Sequence, residues 1–509
     1  MKGTVVGQRV FANGLGAVLV VYSLSAATAR GETTQERPPN FLLIVADDLG
    51  WSDLGSFGST FYETPALDQL ANQGTSFTDA YAACPVCSPM RASLFSGKYP
   101  ARVGLTDHTG GPQPAHWNWP TPLRGAPFKT HLPLEEATLA EALRAAGYAT
   151  FFGGKWHLGH SDEFWPEYQG FDVNAGGCAS GGPFSGNQYF SPYGNPRLSA
   201  GPPGEPRDDR LATETIRFIE ARRHKPFFAS LCFYPVHVPL AAPEPLRQKY
   251  ELNRNPFGET PTPIFGFDGE TRVRLVQEHA VYAAMVEAMD QAVGRVLQAL
   301  DKLGLADNTV VLFTSVNGGL STGDRAISPD QGWPTSNLPL RAGKGWLYEG
   351  GVRVPLIVRG PGVAAGVKSD RIVTSTDYYP TLLELAGLPP APQQHVDGRS
   401  FAASLAGDAA QREPVYWHYP HYANQGGSPG AAVRSGEWKL IHWFEDDRVE
   451  LFHLADDIGE QRDLAAAEPH RATQLKMQLD RWREEVGAVM PTRNPAFDDE
   501  LADARGKSD

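Results

Sequence analysis

Two runs, Phe41-Leu42-Leu43-Ile44-Val45 and Thr309-Val310-Val311-Leu312-Phe313-Thr314, carry apolar residues without polar alternation. A strand that is apolar on both faces has to be covered on both, which places it inside a parallel sheet flanked by helices rather than in a one-sided antiparallel sheet. The chain between these runs fits that arrangement. Thr64 and Pro65 open a helix as its cap and first residue, and Gly74 closes it. Thr138 and Glu141 form a capping box for a helix ending at Gly147, followed by a strand over 148–152. A helix over 211–222 leads into a strand over 227–234, and a long amphipathic stretch over 273–303 precedes the second buried run. Strands alternating with helices predict an α/β sandwich whose central, mostly parallel sheet lies between helices.

After about Gly407 the pattern changes to short aromatic and charged runs over 414–419, 431–433, 438–443 and 449–454. These predict a small antiparallel sheet, with 469–486 as a closing helix. At ~100–200 residues per domain, 509 residues allow one large and one smaller domain. The expected division is a signal peptide over 1–29, a catalytic domain over 30–407, a C-terminal α+β subdomain over 408–497 and a disordered tail over 498–509. Lys2 and Arg9, the apolar stretch over 14–24 and Ala27-Thr28-Ala29 have the order of an export signal. That stretch is shorter than the ~20 residues that span a bilayer. A periplasmic or secreted protein is therefore expected, with an uncleaved anchor as the lesser alternative.

The formal charge of −13, with no basic stripe, argues against nucleic acid as a partner. An anionic substrate would need a local group of cations, and open α/β sheets collect such groups at the carboxyl ends of their strands. Asp47 and Asp48 end one strand, His237 follows another and Asn317 ends a third. Adjacent carboxylates at a strand end call for a cation, and a hard ion with oxygen ligands, Ca²⁺ or Mg²⁺, suits them. The bland reading of the same pair is a capped turn. In Gly154-Lys155-Trp156-His157 an extended backbone puts Lys155 and His157 on one side, and Lys344 lies in a glycine-rich loop before Glu349-Gly350-Gly351-Val352-Arg353. Two lysines, two histidines, an arginine and a metal suit a compact dianionic group or its ester.

Cys87-Ser88-Pro89-Met90-Arg91, with Leu94, Gly97 and Lys98 behind it, places a cysteine just before a helix N-terminus, where amide groups favour an anion. A small buried cysteine is the alternative. Cys84 and Cys87 also form a C-x-x-C, but Cys178 and Cys232 are isolated, which disfavours redox and zinc readings.

The Cys87 motif resembles the signature of the type I sulfatases, and the order and spacing of the other elements extend the likeness over most of the chain. In that family the cysteine is oxidised to formylglycine, whose hydrate attacks sulfur with one hydroxyl and expels sulfate through the other. The resemblance implies an alkaline-phosphatase-like fold. It also implies Asp47, Asp48, Asn317 and the Cys87-derived side chain around Ca²⁺, with Cys87 as nucleophile. Arg91, Lys155, His157, His237 and Lys344 would take the remaining catalytic roles, and His237 or His157 would protonate the leaving group. A formylglycine-generating maturation enzyme and the export machinery are the implied partners.

One position departs from the family. Where Ser-Asp-Asn-Gly-Gly is usual, this chain has Ser315-Val316-Asn317-Gly318-Gly319, so an expected metal ligand is replaced by a side chain with no oxygen. Weaker metal binding and a less activated nucleophile are expected. Asp324 lies too far along to replace it. Trp417-His418-Tyr419-Pro420-His421-Tyr422 resembles segments of bacterial exported sulfatases acting on sulfated sugars, which makes His418 and His421 specificity candidates. The expected function is therefore hydrolysis of a sulfated carbohydrate or aryl sulfate. A phosphonate or phosphodiester hydrolase of the same superfamily and a weakly active glycan-binding relative are the alternatives.

Overall fold

The two apolar runs lie side by side. β1 (Asn40–Ala46) is buried along its whole length, and it pairs in parallel with the strand Thr309–Ser315 in the register Asn40↔Thr309 to Ala46↔Ser315. Residues 37–184, 186, 188–252, 263–325, 332–407 and 414–497 of the computed structural model are described. The expected signal peptide and tail lie outside them.

The central sheet has eight strands. In chain order they are β1, β2 (Thr75–Phe77), β3 (Ala149–Gly154), β4 (Val173–Ala175), β5 (Phe227–Cys232), β6 (Thr309–Ser315), β7 (Leu356–Arg359) and β8 (Val367–Ser369). Across the sheet they run β8-β2-β7-β6-β1-β5-β3-β4. Only β7 is antiparallel to its neighbours. This is the mostly parallel α/β sheet that the buried runs predict.

Helices cover both faces. On one, alternate β1 residues Leu42 and Ile44 join a core with α4 (Arg207–Arg222) and α5 (Ala280–Lys302); on the other, Phe41, Leu43 and Val45 join α2 (Cys87–Ser96), α3 (Leu139–Ala145) and α6 (Tyr378–Leu385). α1 (Pro65–Asn72) and the helix Glu244–Leu252 lie on the first face. The capping box of α3 forms as expected. Two expectations need correction. Residues 271–274 form a short strand, so α5 begins at Ala280 with His279 as its cap. Thr64 does not cap α1: its hydroxyl accepts from Gly55 N–H and donates to Asp68, and Asp290 of α5 accepts from Ala66 N–H and Leu67 N–H instead.

The C-terminal sheet consists of β9 (Val415–Tyr419), β10 (Gly430–Ser435), β11 (Trp438–Trp443) and β12 (Val449–His453), antiparallel in sequence order. α7 (Pro469–Glu485) packs against it through Leu475, Leu479 and Trp482. The sheet is held to the larger layer by buried charge: Lys439 Nζ contacts Glu349 and Glu460, each at 2.9 Å. No described helix is long and apolar enough to cross a membrane.

Candidate active site

Because β5, β1 and β6 are adjacent and parallel, their carboxyl ends deliver His237, Asp47, Asp48 and Asn317 to one place. The turns are tied together by Asp47 N–H donating to Pro235 O (2.9 Å) and Val316 N–H donating to Ala46 O (3.1 Å). After Asn317 the chain passes so close to the loop before β7 that a Cβ on Gly318 would lie 1.7 Å from Gly350 O. Glycine is the residue that fits such a backbone approach.

α2 presents Cys87 from its first turn and is buried over its whole length. It ends at Gly97, whose φ of 69° is left-handed and suits a helix-terminating glycine. Cys87 Sγ lies 3.4 Å from His157 Nδ1, and Ser88 Oγ lies 3.0 Å from the same nitrogen. His157 Nε2 is 3.1 Å from Thr109 O, and a carbonyl oxygen can only accept, so the ring proton sits on Nε2. Nδ1 is then a lone pair facing Cys87 and Ser88. Burial and the nearby Lys155 hold His157 well below the ordinary histidine range.

Two lysines meet the two aspartates. Lys155 donates to Asp47, whose other oxygen lies 3.8 Å from Arg91 Nη2. Arg91 also donates to Lys155 O at 2.6 Å. Lys344 donates to Asp48 Oδ2 at 2.7 Å and to His237 Nε2 at 3.0 Å. Burial opposes ionisation of Asp48, but Lys344, His237 and Lys155 outweigh it and keep the carboxyl well below the usual carboxylate range. Burial and Lys344 together lower His237 to about 4. Its Nδ1 donates to Val238 O, so both site histidines are neutral with lone pairs turned toward the site.

Oxygen atoms remain for a cation. Asp47 Oδ1 and Asn317 Oδ1 are buried and accept no hydrogen bond, and Asn317 Nδ2 donates to Asp48 Oδ1 at 2.9 Å. With Asp48, these form a hard oxygen set suited to Ca²⁺ or Mg²⁺. The set is sparse: among the described residues no three His, Cys, Asp or Glu side chains are grouped to hold a metal. Val316, next to Asn317, adds no oxygen to the set, and its side chain is fully buried in the apolar cluster that contains Cys87 and Met90.

Cys87, His157, His237 and Lys344 line a cavity of about 650 Å³. Arg91 and Lys155 are buried behind it and act on Asp47. Arg353 is elsewhere, paired with Asp79 and Glu349. His418 and His421 do not line the cavity. His418 is buried against Phe444 and donates to Val489 O, while His421 lies 2.8 Å from Thr106 Oγ1. Burial lowers them to about 3 and about 4. Tyr419, between them, does reach the cavity, as do His108 and Asp324, which sequence reasoning left unused. The Asp107-His108 dipeptide was the one visible signal for His108. All four cysteines are buried and none is in a disulfide.

The sulfatase family model matches residues 39–388, and a model described as N-sulphoglucosamine sulphohydrolase, C-terminal, matches 342–485. A sulfatase from Formosa agariphila is 33% identical, with 90% of each chain covered. The N-acetylgalactosamine-6-sulfatase of Homo sapiens is 30% identical over 86% of this chain and 78% of its own. The crystal structure of Ps i-CgsB in complex with k-i-k-neocarrahexaose matches with a TM-score of 0.70 at 28% identity, covering 92% of this chain and 96% of that one. The likeness thus runs through both sheets and through every strand end that carries the site, and the chain belongs to the sulfatase family, as an enzyme of the type I, alkaline-phosphatase-like kind.

Proposed function

We propose that this sulfatase releases sulfate from a sulfated carbohydrate, with Cys87, converted to formylglycine, as its nucleophile. The observation that carries the reading is the placement of Cys87 at the first turn of α2, 3.4 Å from an unprotonated His157 Nδ1 and in one cavity with Lys344 and His237. The hydrated aldehyde would supply one hydroxyl for attack on sulfur and a second to expel sulfate. Asp47, Asp48, Asn317 and the modified Cys87 side chain would hold Ca²⁺, or Mg²⁺ in its place, which when bound supplies positive charge to the nucleophile and to a sulfate oxygen.

The chain's own residues do the rest. His157, fixed in its tautomer by Thr109 O, accepts a proton from the Cys87-derived side chain. Lys344 offers the developing charge a fixed ammonium that can also donate to the leaving oxygen, and His237, which accepts from it at Nε2 and is neutral, orients that ammonium rather than supplying the proton itself. Lys155 and Arg91 hold Asp47 in place from below. In this reading 30–407 carries the chemistry and 408–497 contributes the cavity wall at Tyr419, Asn424 and Gln425. A sugar as leaving group is supported by the relatives, one named for a sulfated amino sugar and one crystallised with an oligosaccharide. Maturation by a formylglycine-generating enzyme and export through the segment 1–29 belong to the same reading.

Intact mass of the Cys87 peptide tests it. A loss of about 18 Da relative to cysteine is expected from conversion of CH₂SH to CHO. An active preparation with Cys87 still a thiol overturns the mechanism. Faster turnover of an aryl phosphonate monoester than of the matching aryl sulfate would move the chain to the phosphonate hydrolases.

A further inference from the structure

The cavity wall next to Cys87 carries two charged groups with no part in the chemistry above. His108 Nδ1 is 3.0 Å from Asp107 Oδ1, and the same oxygen accepts from His108 N–H at 2.7 Å and from the Tyr419 hydroxyl at 3.3 Å. Asp107 is buried, so it acts as a fixed brace; the His108 side chain is 35% exposed and lines the cavity. With Nδ1–H committed to Asp107, the edge left to the cavity is Nε2. Burial works against its charge, but Asp107 outweighs burial and raises its proton affinity above the ordinary histidine value, which favours the form with a proton on Nε2 to donate. Asp324 lines the same cavity and is near enough to raise the proton affinity of both His108 and Lys344. Gln425 Nε2 donates to Asp324 Oδ2 at 2.5 Å and fixes the carboxylate from the C-terminal sheet side.

One donor and one acceptor on a single wall are the complement of a hydroxyl, which accepts and donates at once. A sulfate ester or carboxylate only accepts, and Asp324 would repel it. We propose that His108 and Asp324 read a free hydroxyl on the leaving-group sugar, so that the substrate is a ring bearing the scissile sulfate and an unsulfated hydroxyl beside it. Asp107 and Tyr419 are positioning residues for His108. The assignment rests on the carbohydrate reading above and narrows it to rings whose hydroxyl beside the scissile sulfate is free.

The test uses the mature enzyme with 4-nitrophenyl sulfate and with the 6-sulfates of galactose, N-acetylgalactosamine and N-acetylglucosamine, each paired with its 4,6-disulfate. The wild type is expected to favour the best monosulfate over its disulfate by at least about tenfold in kcat/KM. Asp324→Asn should shrink that ratio about tenfold by removing the repulsion. His108→Ala should lower kcat/KM for the monosulfate, relative to that for the aryl sulfate, by a similar factor. Equal ratios in wild type and both variants, or a wild type that favours the disulfate, overturn the proposal and leave the carbohydrate reading standing. A wild type that cleaves the aryl sulfate and none of the sugars overturns the carbohydrate reading and this inference with it.

Discussion

In the proposed reading Val316 takes the place of a metal-binding carboxylate, and its surroundings suit a valine. Its side chain is fully buried in the same apolar cluster as Cys87, Met90 and Val354, so it contributes packing where an aspartate would need a cation to offset burial. Val316→Asp is therefore expected to do two things. Without Ca²⁺ the protein should melt lower than wild type, by a few degrees for ~1–3 kcal/mol of unpaired charge. With Ca²⁺ the melting temperature should recover, and apparent Ca²⁺ affinity should rise on the order of tenfold. Calorimetry with and without the ion checks both, and a variant whose melting ignores Ca²⁺ contradicts a metal beside residue 316. At this scale the sequence was readable where residue type and position coincide: Cys87 before a helix, and Asp47, Asp48 and Asn317 after buried strands. His418 and His421 were misleading because aromatic and histidine neighbours look alike in a core and on a sugar face. Alternation in β9 sends Trp417 and Tyr419 one way and His418 the other, and only Tyr419 reaches the cavity. His108 was missed because its meaning depends on Tyr419, more than 300 positions away, and on the Asp107 brace that the fold assembles.

The helices show where local signals suffice and where tertiary contacts take over. Thr138 and Glu141 cap α3 through bonds within four residues, which a sequence can display. At α1 the expected cap Thr64 is engaged elsewhere, and the first-turn amides of Ala66 and Leu67 are satisfied by Asp290 Oδ2 at 3.0 Å and Oδ1 at 2.8 Å. No local pattern announces a carboxylate arriving from a helix over 200 residues later. Asp290→Ala should cost about 1–2 kcal/mol, as loss of a cap does, and Asp290→Asn, which keeps one acceptor, should cost less. Urea unfolding measures the difference; equal losses in the two variants would mean that α1 does not depend on this acceptor. The short strands followed the same division. β1 and β6 are continuous apolar runs, whereas β2, β7 and β8 are three or four residues long. They owe their pairing to the sheet edge they complete rather than to their own sequence.

Across the whole molecule, buried carboxyl groups set how stability responds to pH. Among them, Asp208 accepts from the Tyr189 hydroxyl and Asp290 from two backbone amides. Burial pushes each up to about 7. A carboxyl whose proton affinity is higher folded than unfolded contributes stability that is fully present below the unfolded value, near 4, and lost as pH rises through 7. Asp48 and Glu349 act in the opposite sense. Burial opposes their charge, but Lys344 on Asp48 and Lys439 on Glu349 outweigh it and lower them, so their contribution is present above the ordinary carboxylate range and is lost as pH falls. The two groups of acids bracket a window of greatest stability at mildly acidic pH, above the titration of the ion-paired acids and below that of Asp208 and Asp290. Melting temperature followed by calorimetry should therefore peak at about pH 4 and fall by on the order of 5 °C by pH 8. In the double variant Asp208→Asn, Asp290→Asn the alkaline side should become less steep, Asp53 and Glu460 still being raised by burial to about 6 and about 7, while the acidic side keeps its slope, because Asp48 and Glu349 are untouched. An unchanged alkaline slope in that variant would place the titrating groups elsewhere in the fold.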